Sequence, residues 1–167
     1  MKRFVAPSLV VLVVLLVPGI ASARGDGWTF LPASSFTMES CGTTVAEDIL
    51  ANKEYAKIVT NPDGSTVFHL VTGVLKVRLT NEETDRSIVV NASGTGHDAI
   101  FYPNGDFLFQ SSGPAVISLT PEQVAETGMP QISLNKGNLL MLFRADGSAR
   151  VLRRTGRLVD LCARLTA

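Results

Sequence analysis

From Ser65 to Leu119, apolar and polar residues alternate with period 2, and each break in the alternation is a turn signal. Leu75, Val77 and Leu79 fall on one face of an extended chain and Lys76, Arg78 and Thr80 on the other, as a half-buried strand requires. Ser87 to Ser93 and Phe107 to Ser111 repeat the theme. Asn81 to Asp85, Pro103-Asn104-Gly105-Asp106, Asn135-Lys136-Gly137-Asn138, Ala145-Asp146-Gly147-Ser148 and Arg154-Thr155-Gly156-Arg157 carry the residues of tight turns. The chain reads as a β-meander whose core includes Leu75, Val77, Leu79, Ile88, Val90, Phe107, Phe109, Ile117 and Leu119.

Two segments depart from this pattern. Thr43 to Thr60 favours two strands, the second running into the turn Asn61-Pro62-Asp63-Gly64. Thr44-Val45-Ala46-Glu47 also fits a capping box, which leaves a short helix over 46–50 open. Thr120-Pro121-Glu122-Gln123 places Thr at the N-cap, Pro at the first helical position and Gln where a capping box needs it, so a helical turn is expected over 120–127. Gly73, Gly94, Gly96 and Gly113 stand near the middle of successive strand segments, where glycine marks a bulge or bend. Recurrent bends let a sheet curl, and the expected fold is all-β: an antiparallel meander closing into a barrel of about eight strands, with a β-sandwich as the alternative.

The first residues read as a leader. Lys2 and Arg3 precede the apolar run Val5 to Val17, and Ala21-Ser22-Ala23 offers a small-x-small site, so cleavage is expected after Ala23. The apolar run falls short of the roughly 20 residues that span a bilayer. Residues 24–40, with Gly25, Gly27 and Pro32, read as an extended arm whose Trp28, Phe30 and Phe36 dock on their own domain, and 41–167 as a single β-domain. Without Lys2 and Arg3 the chain carries 13 basic against 15 acidic residues, a net charge of −2, which gives no reason to expect nucleic acid as a partner. Cys41 and Cys162 are the only cysteines, and in an exported chain an even pair is most simply a disulfide.

Candidate chemistry is sparse. His97-Asp98, in Ser93-Gly94-Thr95-Gly96-His97-Asp98, could supply a base and its orienting carboxylate, but neighbours on a strand point to opposite faces unless a bulge intervenes. His69 shares a face with Val67 and Val71 and reads as a core histidine. Two histidines without a ligand pair at helical or strand spacing make no metal site, and no cofactor motif is present. There is neither a Gly-x-Ser-x-Gly elbow nor a phosphate loop. From Arg144 to Arg164 six arginines meet only Asp146 and Asp160. Alternation places Arg150, Leu152 and Arg154 on one strand face and Val151 and Arg153 on the other, with Arg157 across a turn. That patch suits either an anionic partner or the guarding of a sheet edge.

Cys41-Gly42, Asn52-Lys53-Glu54-Tyr55, Asn61-Pro62-Asp63-Gly64-Ser65-Thr66, Thr72-Gly73-Val74-Leu75-Lys76-Val77, Thr80-Asn81, Asn91-Ala92-Ser93-Gly94 and Asp160-Leu161-Cys162-Ala163 together resemble a group of small exported proteins of actinomycete bacteria. The resemblance implies a secreted β-rich domain and brings no functional residues. Lipocalins and the allene oxide cyclase and dirigent barrels are architectural analogues, and fold analogy does not transfer function.

These readings converge on a secreted, non-catalytic β-barrel binding a small apolar ligand, with apolar residues on both faces of Leu139 to Phe143 as its motive. One alternative is a cell-envelope protein that holds an anionic component through Arg150, Arg153, Arg154 and Arg157. The other is a barrel isomerase or cyclase using His97 or Asp98.

Overall fold

A computed structural model describes residues 23–24, 27–63, 65–93 and 96–167. The leader before Ala23, Gly64 and Gly94 lie outside the described residues, as do the side chains of residues 23, 24, 96 and 97. The elements are β1 (Ala23–Arg24), β2 (Trp28–Phe30), β3 (Phe36–Ser40), β4 (Thr43–Thr60), β5 (Thr66–Asn81), β6 (Arg86–Asn91), β7 (Gly96–Phe101), β8 (Phe107–Ser118), α1 (Pro121–Thr127), β9 (Ile132–Phe143), β10 (Ala149–Arg154), β11 (Arg157–Asp160) and α2 (Cys162–Thr166). The strands form one antiparallel sheet.

Several of these strands are pieces of longer runs. β2 and β3 pair successively along β4, β6 and β7 along β5, and β10 and β11 along β9. The chain is therefore an up-and-down meander in sequence order, as the alternation of apolar and polar residues implies.

A line of bends crosses the meander. It passes through residues 31–35 between β2 and β3, a bulge at Leu50 in β4, Gly73 in β5 opposite Glu54, the break between β6 and β7, and the paired Gly113 and Gly137 of β8 and β9. It ends at Thr155-Gly156 between β10 and β11. At three of these points backbones approach too closely for any side chain. A Cβ on Gly73 would lie 2.2 Å from the Lys53 carbonyl oxygen, one on Gly137 2.2 Å from that of Thr155, and one on Gly156 2.2 Å from that of Lys136. Glycine is required there, and the bends divide the sheet into two halves.

The half beyond the bends toward Cys41 holds the main core. Val45, Val77, Leu79 and Val90 of β4, β5 and β6 pack with Ile132 and Leu134 of β9, Val159 of β11, Leu165 of α2 and Leu161 between these last two elements. Alternate residues of the β8–β9 hairpin serve the opposite side, where Ala115, Ile117, Leu139 and Met141 join Leu119, Met129, Ala149 and Val124 of α1. The hairpin is thus a middle layer between β4–β5–β6 and α1. The Cys41–Cys162 disulfide, with Cα atoms 5.1 Å apart, fastens the β3–β4 turn to the start of α2. In that turn Cys41 and Gly42 both have positive φ, 59° and 74°, as a two-residue hairpin of the mirror-image type demands.

The expected helix over 120–127 is α1, capped as the sequence indicates: the Gln123 amide donates to Thr120 Oγ1 at 3.3 Å and the Thr120 amide to Gln123 Oε1 at 3.1 Å. Of the expected core, Val77, Leu79, Val90, Ile117 and Leu119 are buried. Leu75, Ile88 and Phe109 are half-buried against the two clusters, and Phe107 stacks between Phe101 and Phe143.

Three expectations need correction. Among the described residues no backbone pairing joins β10–β11 to β2–β3, so the sheet does not close into a barrel; the disulfide and the main core bring its ends together instead. Within the extended arm, residues 28–30 and 36–40 pair as edge strands on β4. Thr43–Thr60 is one bulged strand with no helix at 46–50, since pairing on both sides outweighs the local capping signal. Asn135–Asn138 and Arg154–Arg157 are bends rather than turns, because Gly137 and Gly156 serve close approach of two strands.

Candidate functional site

In the other, open half of the sheet, on the side of the bends away from Cys41, cross-strand register determines which side chains share a face, because directly paired residues project together. One row runs Val59, Phe68, Ile100, Leu108, Leu142 and Arg150 across β4, β5, β7, β8, β9 and β10. Its five apolar members span about 19 Å at the usual strand spacing. The next row on the same face is Lys57, Leu70, Asp98, Gln110, Leu140 and Arg153. None of the five apolar side chains of the first row belongs to either buried cluster. Val59 is 45% and Ile100 36% exposed, and Phe68, Leu108 and Leu142 are half-buried.

β5 provides an internal comparison. Beyond Gly73 its outward residues are Val74, Lys76, Arg78 and Thr80, with Val74, Lys76 and Arg78 exposed and Asp48 and Val89 paired on either side of Arg78. Before Gly73 the same face of the same strand carries Phe68 and Leu70. Lysine and arginine stand on the outer face of β5 only beyond Gly73, where they are interspersed with the exposed Val74 and the neighbouring Val89 of β6.

Where the first row meets the β7–β8 turn, a cleft of about 610 Å³ opens, lined by Tyr102, Pro103, Leu108, Leu142 and Leu152 with Asn104 and Asp106 at its rim. Local hydrogen bonds hold its wall. The Tyr102 amide donates to the Asp106 carbonyl at 2.9 Å, and the Gly105 amide to the Tyr102 carbonyl at 3.0 Å. Asp106 Oδ1 accepts the Ala145 amide at 2.9 Å, which ties this turn to the β9–β10 turn. Beside it, a second depression of about 280 Å³ is lined by Gln110, Asn138, Leu139, Leu140 and Arg153.

The arginines are arranged by a bulge. Register shifts between Val151 and Arg153, so Leu152 is the extra residue and Arg150 and Arg153 pair with Leu142 and Leu140 of one face. Arg154 pairs with Leu139 of the other face, and Arg157 with Lys136 of β9 beyond the bend. The strict alternation expected from sequence, which put Arg150 with Leu152 and Arg154, is therefore broken. All four arginines are exposed.

β7 pairs without a bulge in the backbone register: His97 pairs with Ser111 and Val71, and Asp98 with Gln110 and Leu70. The His97 side chain lies outside the described residues, and Asp98 is half-buried on the outer face. His69 is on the inner face between Ile58 and Ala99, with a buried Nε2, and burial lowers its pKa. Burial raises the pKa of Glu54, which stands opposite Gly73, and of Glu47, whose pairing partner Leu79 lies in the main core. Among the described residues no three His, Cys, Asp or Glu side chains converge as metal ligands.

Sequence reasoning missed the apolar rows because they exist only through the register of six strands. A signal for them was nevertheless present: Val67-Phe68-His69-Leu70-Val71 interrupts the alternation with a near-continuous apolar run, the mark of a strand with apolar neighbours on both faces. No protein family matches the chain, and it matches no curated protein and no solved structure.

Proposed function

We propose that the protein is an exported, non-catalytic β-sheet module that binds a small apolar ligand on the outer face of its open half. The observation that carries this reading is the in-register row Val59, Phe68, Ile100, Leu108 and Leu142, leading into the cleft beside Tyr102 and Leu152. Solvated faces of antiparallel sheets are ordinarily polar, as Lys76, Arg78 and Thr80 of β5 illustrate. The long-range disulfide and the leader pattern support export. No helix among the described residues is long and apolar enough to cross a membrane.

The test is uptake of an uncharged naphthylamine probe, whose emission rises in apolar surroundings. Parent protein should enhance it in saturable fashion, and the Leu108→Asn/Leu142→Asn variant should lose most of that enhancement while unfolding at a similar denaturant concentration. Enhancement equal in parent and variant would remove the cleft from the reading, and none in either would refute it.

A further inference from the structure

We infer that the ligand of this cleft is an anionic amphiphile, with its chain across Leu108 and Leu142 and its acidic head at Arg153 and Arg150. This rests on the apolar-ligand reading above and adds the chemistry of the head group. The two depressions are successive rows of one face, two residues apart along β8 and β9, or about 7 Å. The first is walled by leucines and Tyr102, whereas the second is walled by Gln110, Asn138 and Arg153 beside Leu140. An apolar compartment thus adjoins a compartment of hydrogen-bond donors that carries a guanidinium.

The bulge at Leu152 makes this arrangement. In an unbulged strand Arg150 and Arg153 would point to opposite faces; here both pair with residues of the apolar face. Guanidinium groups present a planar fork of donors that matches a carboxylate, sulfate or phosphate head. Asp106 is engaged at the far rim, where its carboxylate accepts the Ala145 amide and Asn104 Nδ2.

A second copy of the chain fits less well. Stacked antiparallel and face to face, the Arg150–Arg153 edge of one copy would meet the Lys57 edge of the other, bringing like charges together.

The experiment is calorimetric titration of the disulfide-bonded protein at neutral pH with decanoate and with 1-decanol, both below aggregation concentrations. Decanoate should bind about tenfold tighter or more, the scale of a charge-assisted head-group contact. Arg150→Gln/Arg153→Gln should erase that advantage and leave decanol binding unchanged, and raising salt should narrow it. Equal binding of the two probes, insensitive to the arginines, overturns the head-group assignment and leaves the apolar-ligand reading standing. Binding of neither overturns the reading beneath it. Self-association through this face, or capture by phosphatidylglycerol vesicles without uptake of free decanoate, overturns the assignment in favour of a second copy or a lipid surface.

Discussion

Replacing Gly137 by Ala tests the line of bends at the point where two strands come closest. The added Cβ would lie 2.2 Å from the Thr155 carbonyl oxygen and 2.9 Å from Gly156 Cα. Every atom it meets is backbone, so no side-chain rotation relieves the contact. The Gly137 φ of 155° adds strain of its own for an L-residue. Relief requires β9 to part from β10–β11, which weakens the Thr155 amide to Asn138 carbonyl bond of 2.9 Å and the Lys136–Arg157 pairing. Strain of about 1 to 2 kcal/mol and one or two hydrogen bonds of about 1 kcal/mol each sum to roughly 2 to 4 kcal/mol. In a domain of this size that lowers the thermal midpoint by roughly 5 to 15 °C. Gly147→Ala is the control, with φ 89° but nothing within 4 Å of the new Cβ, so strain alone should cost about 1 to 2 kcal/mol. Gly156→Ala meets the same contact from the other strand, so the double variant should cost clearly less than the sum of the two. Urea unfolding followed by circular dichroism measures the parent and all four variants. A loss in Gly137→Ala no larger than in Gly147→Ala would refute the close-approach argument.

Reducing Cys41–Cys162, which closes a span of 121 residues, should lower the denaturant midpoint. The chain-entropy treatment sets an upper value of about 4 to 5 kcal/mol for such a loop, and an unchanged midpoint after confirmed reduction would contradict the stapling role. Glu54 is buried and its pKa is raised above the ordinary 4.5 by burial, so the folded chain holds that proton more tightly than the unfolded one. The resulting cost is absent well below 4.5 and develops as pH rises through the folded value. Glu54→Gln should therefore be more stable than the parent at neutral pH, with the advantage fading in acid; a pH-independent difference would exclude this cause. Thr120→Ala removes the capping box of α1 and should cost about 1 kcal/mol in the same urea assay, unless the Gln123 Nε2 bond to the Gly147 carbonyl at 2.9 Å holds the helix unaided.

The elements that could be read locally were those whose signals are local. The α1 capping box, the Pro103–Asp106 turn and the alternation in Leu75 to Thr80 each lie within a few residues, and each stands as read. Gly73 and Gly113 were recognisable as bends because glycine in an alternating strand has few other uses. Gly137 and Gly156 have the same role but sit in Asn-Lys-Gly-Asn and Arg-Thr-Gly-Arg, which are also turn sequences, and only the pairing of β9 with both β10 and β11 separates the two meanings. The bulge at Leu152 left no local trace either. It follows from the register of β10 on β9, and with it goes the grouping of Arg150 with Arg153.

Pairing alone does not call for the apolar row of the open half. A strand with only one covered face needs apolar residues at every second position, and β5 meets that need beyond Gly73 with Leu75, Val77 and Leu79 inside and Lys76, Arg78 and Thr80 outside. Nothing in the pairing of β5 before Gly73 demands more, yet Phe68 and Leu70 occupy its outer positions and continue into Ile100, Leu108 and Leu142 across three further strands. Scattered exposed apolar residues are ordinary on protein surfaces, but a row held in register across five strands is a contiguous patch of the kind that marks a binding surface. The main core, the disulfide and α2 lie on the other side of the bends, and the second cluster backs the reverse face of the open half through Leu139, Met141 and Ala149. Both clusters thus leave the apolar row uncovered.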